Sequence, residues 1–296
     1  MNRLLKAGLA VLILAGCSPD NTSNAQSAGT VRPTPTVATA GPAPGARPSS
    51  AVPYDFSAPA AQSELVEALR EVSGIAFLPE GRIAAVQDEA GILYTLDAAT
   101  GAVVAERPFA GPGDYEDVEH AAGAVWVLGA DGTVYEIPDD GSAPREHDTP
   151  LKKKCDAEGL ALDGGRDRLL IACKEDPGEG HNEDEVKAVY AFDLSTRTLD
   201  PTPVLLLPRA SLDAAEDFKP SALAVHPRTG EVYVLSSVRN AIAVVNAAGE
   251  ITSVVDLPEA LNAQPEGLAF TADGALYVAN EGGDGQGAIS RYDPAR

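Results

Sequence analysis

The feature of this 296-residue sequence that most limits its fold is a motif that occurs five times. Each copy is followed by a turn rich in Gly, Pro or Asp and then by a strongly apolar strand. The copies lie at Val72–Phe77, Tyr115–His120, Ala157–Leu162, Pro220–Val225 and Pro265–Phe270. Equivalent positions are separated by 43, 42, 63 and 45 residues. Repeats of about 40–45 residues with four short strands are typical of a β-propeller, in which each blade buries its faces against its neighbours.

The sequence therefore predicts an all-β protein, a β-propeller with five blades. The longest interval contains insertions at 176–187 and 209–218 but not the four further strands of another blade, so five blades are favoured over six. The sequence stops soon after the third strand of the last blade. We expect an N-terminal strand, Val52–Phe56 or Glu64–Leu69, to pair with that blade and close the ring, which would remove exposed strand edges.

The first 16 residues have the layout of a secretory signal peptide. Two cations precede a short apolar run, Ala7–Ala15. A helix that spans a bilayer needs about 20 apolar residues, so this run is too short. It leads into Leu-Ala-Gly-Cys at positions 14–17, which resembles the lipobox of bacterial lipoproteins. We predict that Cys17 is lipidated, with palmitate among its acyl chains, and that Ser18 directs the protein to the outer membrane. An ordinary signal peptide with a chance cysteine is the alternative.

Residues 17–52 are predicted to form a flexible tether. From Ser18 to Val52 the chain has no aromatic residue, Leu or Ile, and is rich in Pro, Thr, Ala, Gly and Ser. Such a segment buries too little apolar surface to offset the entropy lost on ordering. A single propeller domain follows at 53–296. We therefore expect an exported protein that a lipid anchor holds at a bacterial membrane, and a monomer, because a propeller closes on itself.

The charge of the chain narrows the classes of partner. The sequence carries 22 Lys and Arg against 44 Asp and Glu, a formal net charge of −22. Phosphate groups of nucleic acids and anionic lipid head groups would repel such a surface. We expect no nucleic-acid partner, whereas divalent cations are compatible with the charge.

Three glutamates occupy matching positions at the start of predicted inner strands. They are Glu116, Glu158 and Glu266. Inner strands line the central channel of a propeller, so these side chains should gather at one mouth of it. Two carboxylates about 6 Å apart repel by roughly 3 kcal/mol at an effective dielectric constant near 20. A cation, a proton or basic neighbours must relieve that repulsion.

A hard cation suits this set of oxygen donors, and Ca²⁺ tolerates irregular coordination. Zinc is disfavoured because the histidines show no paired spacing and the cysteines no Cys-x-x-Cys motif. Alternatively, the carboxylates simply accept hydrogen bonds from the backbone of adjacent blades. The acidic insertion at 175–185 is interpreted as a flap rather than a dedicated ion site. The first choice of calcium ligands is Glu116, Glu158 and Glu266, and the second group is Asp88, Glu175, Asn280 and Glu281.

Cys155 and Cys173 form an even pair once Cys17 is lipidated. An oxidising compartment permits a disulfide between them. Their predicted strands, however, place them about three residues from direct opposition. The sequence does not decide whether the two cysteines form a disulfide.

The same repeats resemble those of the SdiA-regulated family of bacterial propellers. This resemblance implies five blades, a distant similarity to NHL-repeat propellers, and a bound calcium ion, and it leaves the biochemical role open. It is carried by Ser73–Ala76, Gln87–Glu89, Gly113–Asp117, Leu169–Glu175, Lys219–Pro227, Gln264–Leu268 and Asn280–Glu281.

Two functions follow as hypotheses. The favoured one is a calcium-binding envelope lipoprotein that binds a small-molecule or protein ligand at its channel mouth. The sequence has no Gly-x-Ser-x-Gly elbow and no serine that can be paired with a histidine and an acid. The alternative is a calcium-dependent hydrolase, similar to propeller lactonases, esterases, phosphatases or phytases, that uses the same carboxylates and Asn280.

Overall fold

A computed structural model describes residues 36–37, 52–151, 153–212 and 217–295. These residues belong to one compact unit, Thr34–Arg296. The predicted signal peptide, the lipidation site at Cys17 and all of the tether except residues 36–37 and 52 lie outside the described residues. Within the ranges given, no helix is long and apolar enough to cross a bilayer.

The strands form the five blades that the repeats predict, each a sheet built mainly of antiparallel strands. The first strands of the blades contact one another in cyclic order, so they form the inner wall of the ring. Blade 1 consists of Val72–Leu78, Arg82–Gln87, Ala90–Asp97 and Val103–Pro112. Blade 2 consists of Tyr115–Ala121, Ala124–Gly129, Val134–Pro138 and Arg145–His147. Blade 4 consists of Ala222–Val225, Val232–Ser236, Ala241–Val245 and Ile251–Asp256.

Blade 3 accounts for the longest interval between repeats. It has four main strands, and Thr198–Leu199 pairs beside its third strand while Thr36–Val37 pairs in parallel with its outer strand. The extra residues of this interval lie in the loops before and after the third strand, and the described strands form no sixth blade. The main strands are Ala157–Asp163, Arg168–Cys173, Val186–Asp193 and Leu205–Pro208.

An N-terminal strand completes blade 5, but it is not one of the two segments predicted. Ala61–Glu64 pairs antiparallel with Ala288–Tyr292. The Tyr54 and Phe56 side chains instead pack between blades 4 and 5, and the Tyr54 hydroxyl donates to the Gly274 carbonyl at 2.7 Å. The second predicted segment contributes mainly a 3₁₀ helix at Glu67–Leu69. The other strands of blade 5 are Pro265–Phe270 and Leu276–Asn280, and further 3₁₀ helices lie at Pro79–Gly81 and Arg209–Ser211.

The core consists of five clusters of buried side chains, one between each pair of neighbouring blades. Middle strands are buried on both faces, which explains their continuous apolar sequences. Trp126, fully buried between blades 2 and 3, is an example, as is Tyr233 between blades 4 and 5. The repeated aromatic positions therefore pack the blades together.

Candidate functional site

The three first-choice calcium ligands lie on β-bulges of the inner strands. In four blades the pairing of the first two strands shifts by one residue, and Ser73, Glu116, Glu158 and Glu266 are the residues left without a partner. A bulge re-aims a side chain and is common beside functional sites. In blade 4 the corresponding residue is Ser221, whose strand pairs without a shift. We call these five residues the inner ring.

Two further sets of equivalent residues surround the inner ring. The first set consists of the residue two positions before the inner-ring residue of each blade. The second set consists of the residue that directly follows the second strand of each blade. With the inner ring they define the channel mouth, which contains eight acidic residues and two lysines. The first set is Glu71, Asp114, Asp156, Lys219 and Gln264, and the second is Asp88, Ala130, Lys174, Ser237 and Glu281.

Burial and neighbouring carboxyls raise the pKa values of two inner-ring glutamates. Burial, the neighbouring Glu158 charge and a hydrogen bond shared with Asp114 raise the pKa of Glu116 to about 9. Burial raises the pKa of Glu158 to about 8 even though Lys174 lowers it. The Lys174 ammonium donates a hydrogen bond to the Glu158 carboxylate, and Glu158 is 5% exposed. A basic neighbour therefore relieves part of the repulsion.

Blade 5 contributes two more carboxyls with raised pKa values. Burial raises the pKa of Glu266, while the Ser237 hydroxyl, Lys174 and the Ser221 hydroxyl lower it. Burial, Glu266 and then Asp88 raise the pKa of Glu281 to about 7. The pKa of Asp88 is itself raised, by burial and then by Glu71. Blades 5 and 1 therefore contribute four acidic residues and no lysine to the mouth.

The structure brings together most of the predicted ligands. Glu158 interacts electrostatically with both Glu116 and Glu266, and Glu281 with Asp88. Glu175 is paired with a lysine of the mouth, because its carboxylate accepts a hydrogen bond from Lys219. Asn280 does not join the carboxylates.

Asn280 lies in the interface of blades 4 and 5. Its amide nitrogen donates to the Asn262 side-chain oxygen at 3.4 Å. Its own side-chain oxygen is buried and, like Oδ1 of Asp88, has no hydrogen-bond partner among the described residues.

Sequence reasoning missed four charged residues of the mouth. Glu71, Asp114, Asp156 and Lys219 precede the inner ring by two residues in their blades. Burial raises the pKa of Asp156, which Lys174 lowers. The signal was present, because aligning the repeats on the inner-ring residue places these four side chains in one register.

The chemistry of the donors fits Ca²⁺, since the mouth offers carboxylate and hydroxyl oxygens. Among the described residues, no three His, Cys, Asp or Glu side chains are placed to hold a metal ion. The residues that would hold the ion are Glu116, Glu158 and Glu266, after Lys174 releases Glu158.

Asp117 gives the mouth a floor. It is fully buried, and its two oxygens accept hydrogen bonds from the backbone of Val118 at 2.8 Å and Leu160 at 2.7 Å. The Leu223 backbone also donates to it, and a Cβ on Gly74 would lie 2.6 Å from its Cα. Asp117 thus contacts the inner strands of blades 1, 3 and 4 and crosses the channel axis. Asp117 therefore accepts hydrogen bonds from the backbone, which is the alternative role that the sequence left open for carboxylates. Among the described residues, no backbone group donates a hydrogen bond to an inner-ring glutamate.

A disulfide braces the base of Lys174. Cys155 and Cys173 are joined, with their Cα atoms 4.8 Å apart. The strands pair Cys173 with Ala157, and Asp156 between the cysteines has a left-handed backbone, with φ of 51°, that returns Cys155 to its partner. This turn removes the offset that the sequence suggested. The Lys174 N–H then donates to the Asp156 carbonyl at 2.9 Å, beside the bridge.

Comparison with known proteins identifies the family. The family model described as SdiA-regulated matches residues 49–283, which is most of the chain. The chain belongs to the SdiA-regulated family. Among curated proteins, none matches the sequence.

Solved structures that resemble this SdiA-regulated protein are propellers of several kinds. An aldose sugar dehydrogenase from Streptomyces coelicolor has 14% identity and a TM-score of 0.50, over 80% of this chain and 99% of its own. A protein of unknown function from Bacteroides thetaiotaomicron has 15% identity and a TM-score of 0.50, over 74% and 55%. A gluconolactonase from Xanthomonas campestris has 16% identity and a TM-score of 0.47, over 75% and 72%. At identities this low, the two structures with a TM-score of 0.50 show a common fold and nothing about activity.

Proposed function

We propose that this SdiA-regulated protein is an exported lipoprotein, anchored through Cys17, whose propeller binds Ca²⁺ at the channel mouth and recognises a small-molecule or protein ligand there. The observation that carries the proposal is the inner ring. Three of its five residues are glutamates on bulges, of which Glu158 is buried and the other two are partly buried. Carboxyl groups buried in such company need a proton, a basic neighbour or a cation.

The balance of charge at the mouth favours a divalent ion over a structural role. Among the described residues, Lys174 pairs with Glu158 and Arg70 lies 3.8 Å from Glu71, and most of the eight acidic residues have no such ion pair. In the absence of a cation the cluster takes up protons, which is the physical meaning of the pKa values of about 9 and about 8 at Glu116 and Glu158. A divalent cation would replace those protons and supply a positive centre for an anionic or carbonyl-bearing group of a ligand.

The acidic insertion after Glu175 lies on the side of the inner ring that a ligand would contact. Lys219 holds the start of this insertion through Glu175, and Arg209 pairs with Asp217 at 2.6 Å nearby. These ion pairs fix charged side chains at the rim, where a partner would contact it.

The site is tested by thermal unfolding of the purified protein after chelator treatment and then with added Ca²⁺. A ligand that binds only the folded state stabilises it by about 2.7 kcal/mol at a hundredfold excess over Kd. We expect Ca²⁺ to raise the Tm of the wild type and not that of the Glu116→Gln, Glu158→Gln, Glu266→Gln variant. A matched control carries Glu106→Gln, Glu146→Gln and Glu259→Gln, which change the same charge at exposed positions. Equal shifts in all three proteins, or none, would overturn the proposal.

The anchor has its own test, since the sequence alone supports it. Expression of the whole chain should give a membrane-bound protein that carries acyl chains, and Cys17→Ser should release it. A Cys17→Ser protein that stays membrane-bound would remove the lipoprotein part of the proposal and leave the calcium site untouched.

Calcium-dependent hydrolysis is separated from binding by a substrate panel. Lactone, ester and phosphomonoester substrates with saturating Ca²⁺ should give no turnover. Turnover that disappears in the triple glutamine variant would replace the binding function with a hydrolase.

A further inference from the structure

Lys174 places a positive charge among the carboxylates of the channel mouth. Its ammonium lies on the Glu158 carboxylate, and it also interacts electrostatically with Asp156 and Glu266. The equivalent residues of the other blades are Asp88, Ala130, Ser237 and Glu281, none of which is basic. Only blade 3 therefore places a positive charge at this position.

The backbone of Lys174 is held from both sides. Its N–H donates to the Asp156 carbonyl at 2.9 Å, and its carbonyl accepts a hydrogen bond from the Lys187 ammonium at 2.6 Å. Lys187 is itself 1% exposed, so a buried lysine is committed to this one carbonyl. The Cys155–Cys173 disulfide is adjacent. This bracing keeps the base of the side chain fixed, while the Lys174 side chain as a whole is 29% exposed.

We propose that Lys174 is a built-in counter-cation that competes with the metal ion for Glu158 and so sets the affinity of the channel mouth for Ca²⁺. The proposal rests on the proposed function. With no metal bound, the ammonium stabilises the closely spaced carboxylates. When the ion binds, the ammonium must leave Glu158, and it can do so by rotating its flexible four-carbon side chain about a fixed backbone.

The competition has a definite direction. A carboxylate that is already paired loses that pair when it ligates a metal, which weakens metal binding. Lys174→Met keeps a side chain of similar length and removes the charge. The variant should therefore be less stable than the wild type in chelator, bind Ca²⁺ about tenfold more tightly, which corresponds to about 1.4 kcal/mol, and regain stability when Ca²⁺ is saturating.

Calorimetric titration of Ca²⁺ into chelator-treated wild type, Lys174→Met and Lys219→Met tests the proposal. Lys219 is the matched control, because it is the other lysine of the mouth but pairs with Glu175 and Asp217. Its removal should change Kd by less than about threefold, since its charge lies on carboxylates outside the inner ring. Lys174→Gln serves as a second variant if Lys174→Met does not fold.

The outcomes separate this proposal from the proposed function. Tighter binding by the Lys174 variants alone supports both. Binding by the variants but not by the wild type supports the role of Lys174 and contradicts calcium binding by the natural protein. Equal or weaker binding by the Lys174 variants, with binding by the wild type, overturns the role of Lys174 only. An absence of binding in every protein overturns both.

Discussion

Oδ2 of Asp117 accepts a hydrogen bond from the backbone N–H of Leu160 at 2.7 Å, which ties a side chain of blade 2 to the inner strand of blade 3. The equivalent residues of the other blades are Gly74, Gly159, Ala222 and Gly267. A carboxylate at one position of an otherwise small-residue ring thus cross-links the wall of the channel. Burial raises the pKa of Asp117, and the backbone donors at Leu160 and Val118 oppose that rise.

Replacement of this carboxylate should destabilise the propeller. In Asp117→Asn, an amide NH₂ replaces one acceptor oxygen and faces a backbone N–H, so a buried donor loses its partner. A buried unsatisfied group costs about 1–3 kcal/mol. Urea denaturation should show a loss of that size, whereas the control Asp284→Asn, at an exposed position, should be neutral. A variant within about 0.5 kcal/mol of the wild type would contradict the cross-linking role.

Gly74 should tolerate no side chain. A Cβ there would lie 2.6 Å from the Asp117 Cα and 2.9 Å from the Val118 nitrogen, both backbone atoms that cannot easily move. Overpacking of this kind costs about 1–3 kcal/mol. Gly74→Ala should lower the free energy of unfolding accordingly, as measured by chemical denaturation. Gly111→Ala is the control, because nothing lies within 4 Å of its Cβ; equal effects of the two substitutions would refute the close packing.

The blade count and the inner ring were predictable because both depend on repetition. A strand buried on both faces must be apolar throughout, so the spacing of the repeats defines the blades. The inner-ring glutamates occupy the same position of the repeat, and a bulge leaves the residue at that position unpaired in blades 2, 3 and 5. Position in the repeat was therefore enough to locate them.

Other features depend on contacts that repetition does not encode. The closing strand Ala61–Glu64 lies at an edge and is mostly exposed, so it lacks an apolar pattern. The sequence shows aspartate at position 117 but not which backbone groups of blades 3 and 4 it bonds. The sequence does not show which of the neighbouring carboxylates Lys174 contacts, because that depends on the conformation of its side chain; in the structure it contacts Glu158. The disulfide depends on the left-handed backbone of Asp156. Gly, Asn and Asp adopt this conformation more readily than other residues, but their presence in a sequence does not show that they adopt it.

Stability should fall as the pH rises through the neutral range. The pKa values of Glu281, Glu158 and Glu116 are raised to about 7, about 8 and about 9 from 4.5. Above pH 4.5 the unfolded chain has released protons that the folded chain retains, so further increases favour unfolding until the folded pKa values are passed. The Tm in chelator should decline from pH 5 to pH 9.

The triple glutamine variant should flatten this decline, and Ca²⁺ should raise the wild-type Tm more at pH 9 than at pH 6, because fewer protons then compete with it. A wild-type Tm that is constant or rising across this range would show that the inner-ring carboxyls are ionised without penalty.

The disulfide should stabilise the fold and hold Lys174 in place. Its cysteines are 18 residues apart, and closing a loop of that length contributes about 3 kcal/mol in the chain-entropy model. The Cys155→Ser, Cys173→Ser variant should lose stability of that order in guanidinium denaturation. Reduction of the wild type should give the same loss. Stability unchanged by either treatment would mean that the backbone hydrogen bonds beside the bridge suffice.

The central claim is that the inner-ring carboxylates hold Ca²⁺, and an anomalous difference map from crystals grown with Ca²⁺ tests it most directly. The account predicts a peak at the channel mouth, within ligand distance of Glu116, Glu158 and Glu266, with the Lys174 ammonium moved off Glu158. The triple glutamine variant should show no peak there. A wild-type map without a peak at the mouth, with Lys174 still on Glu158, would contradict the account.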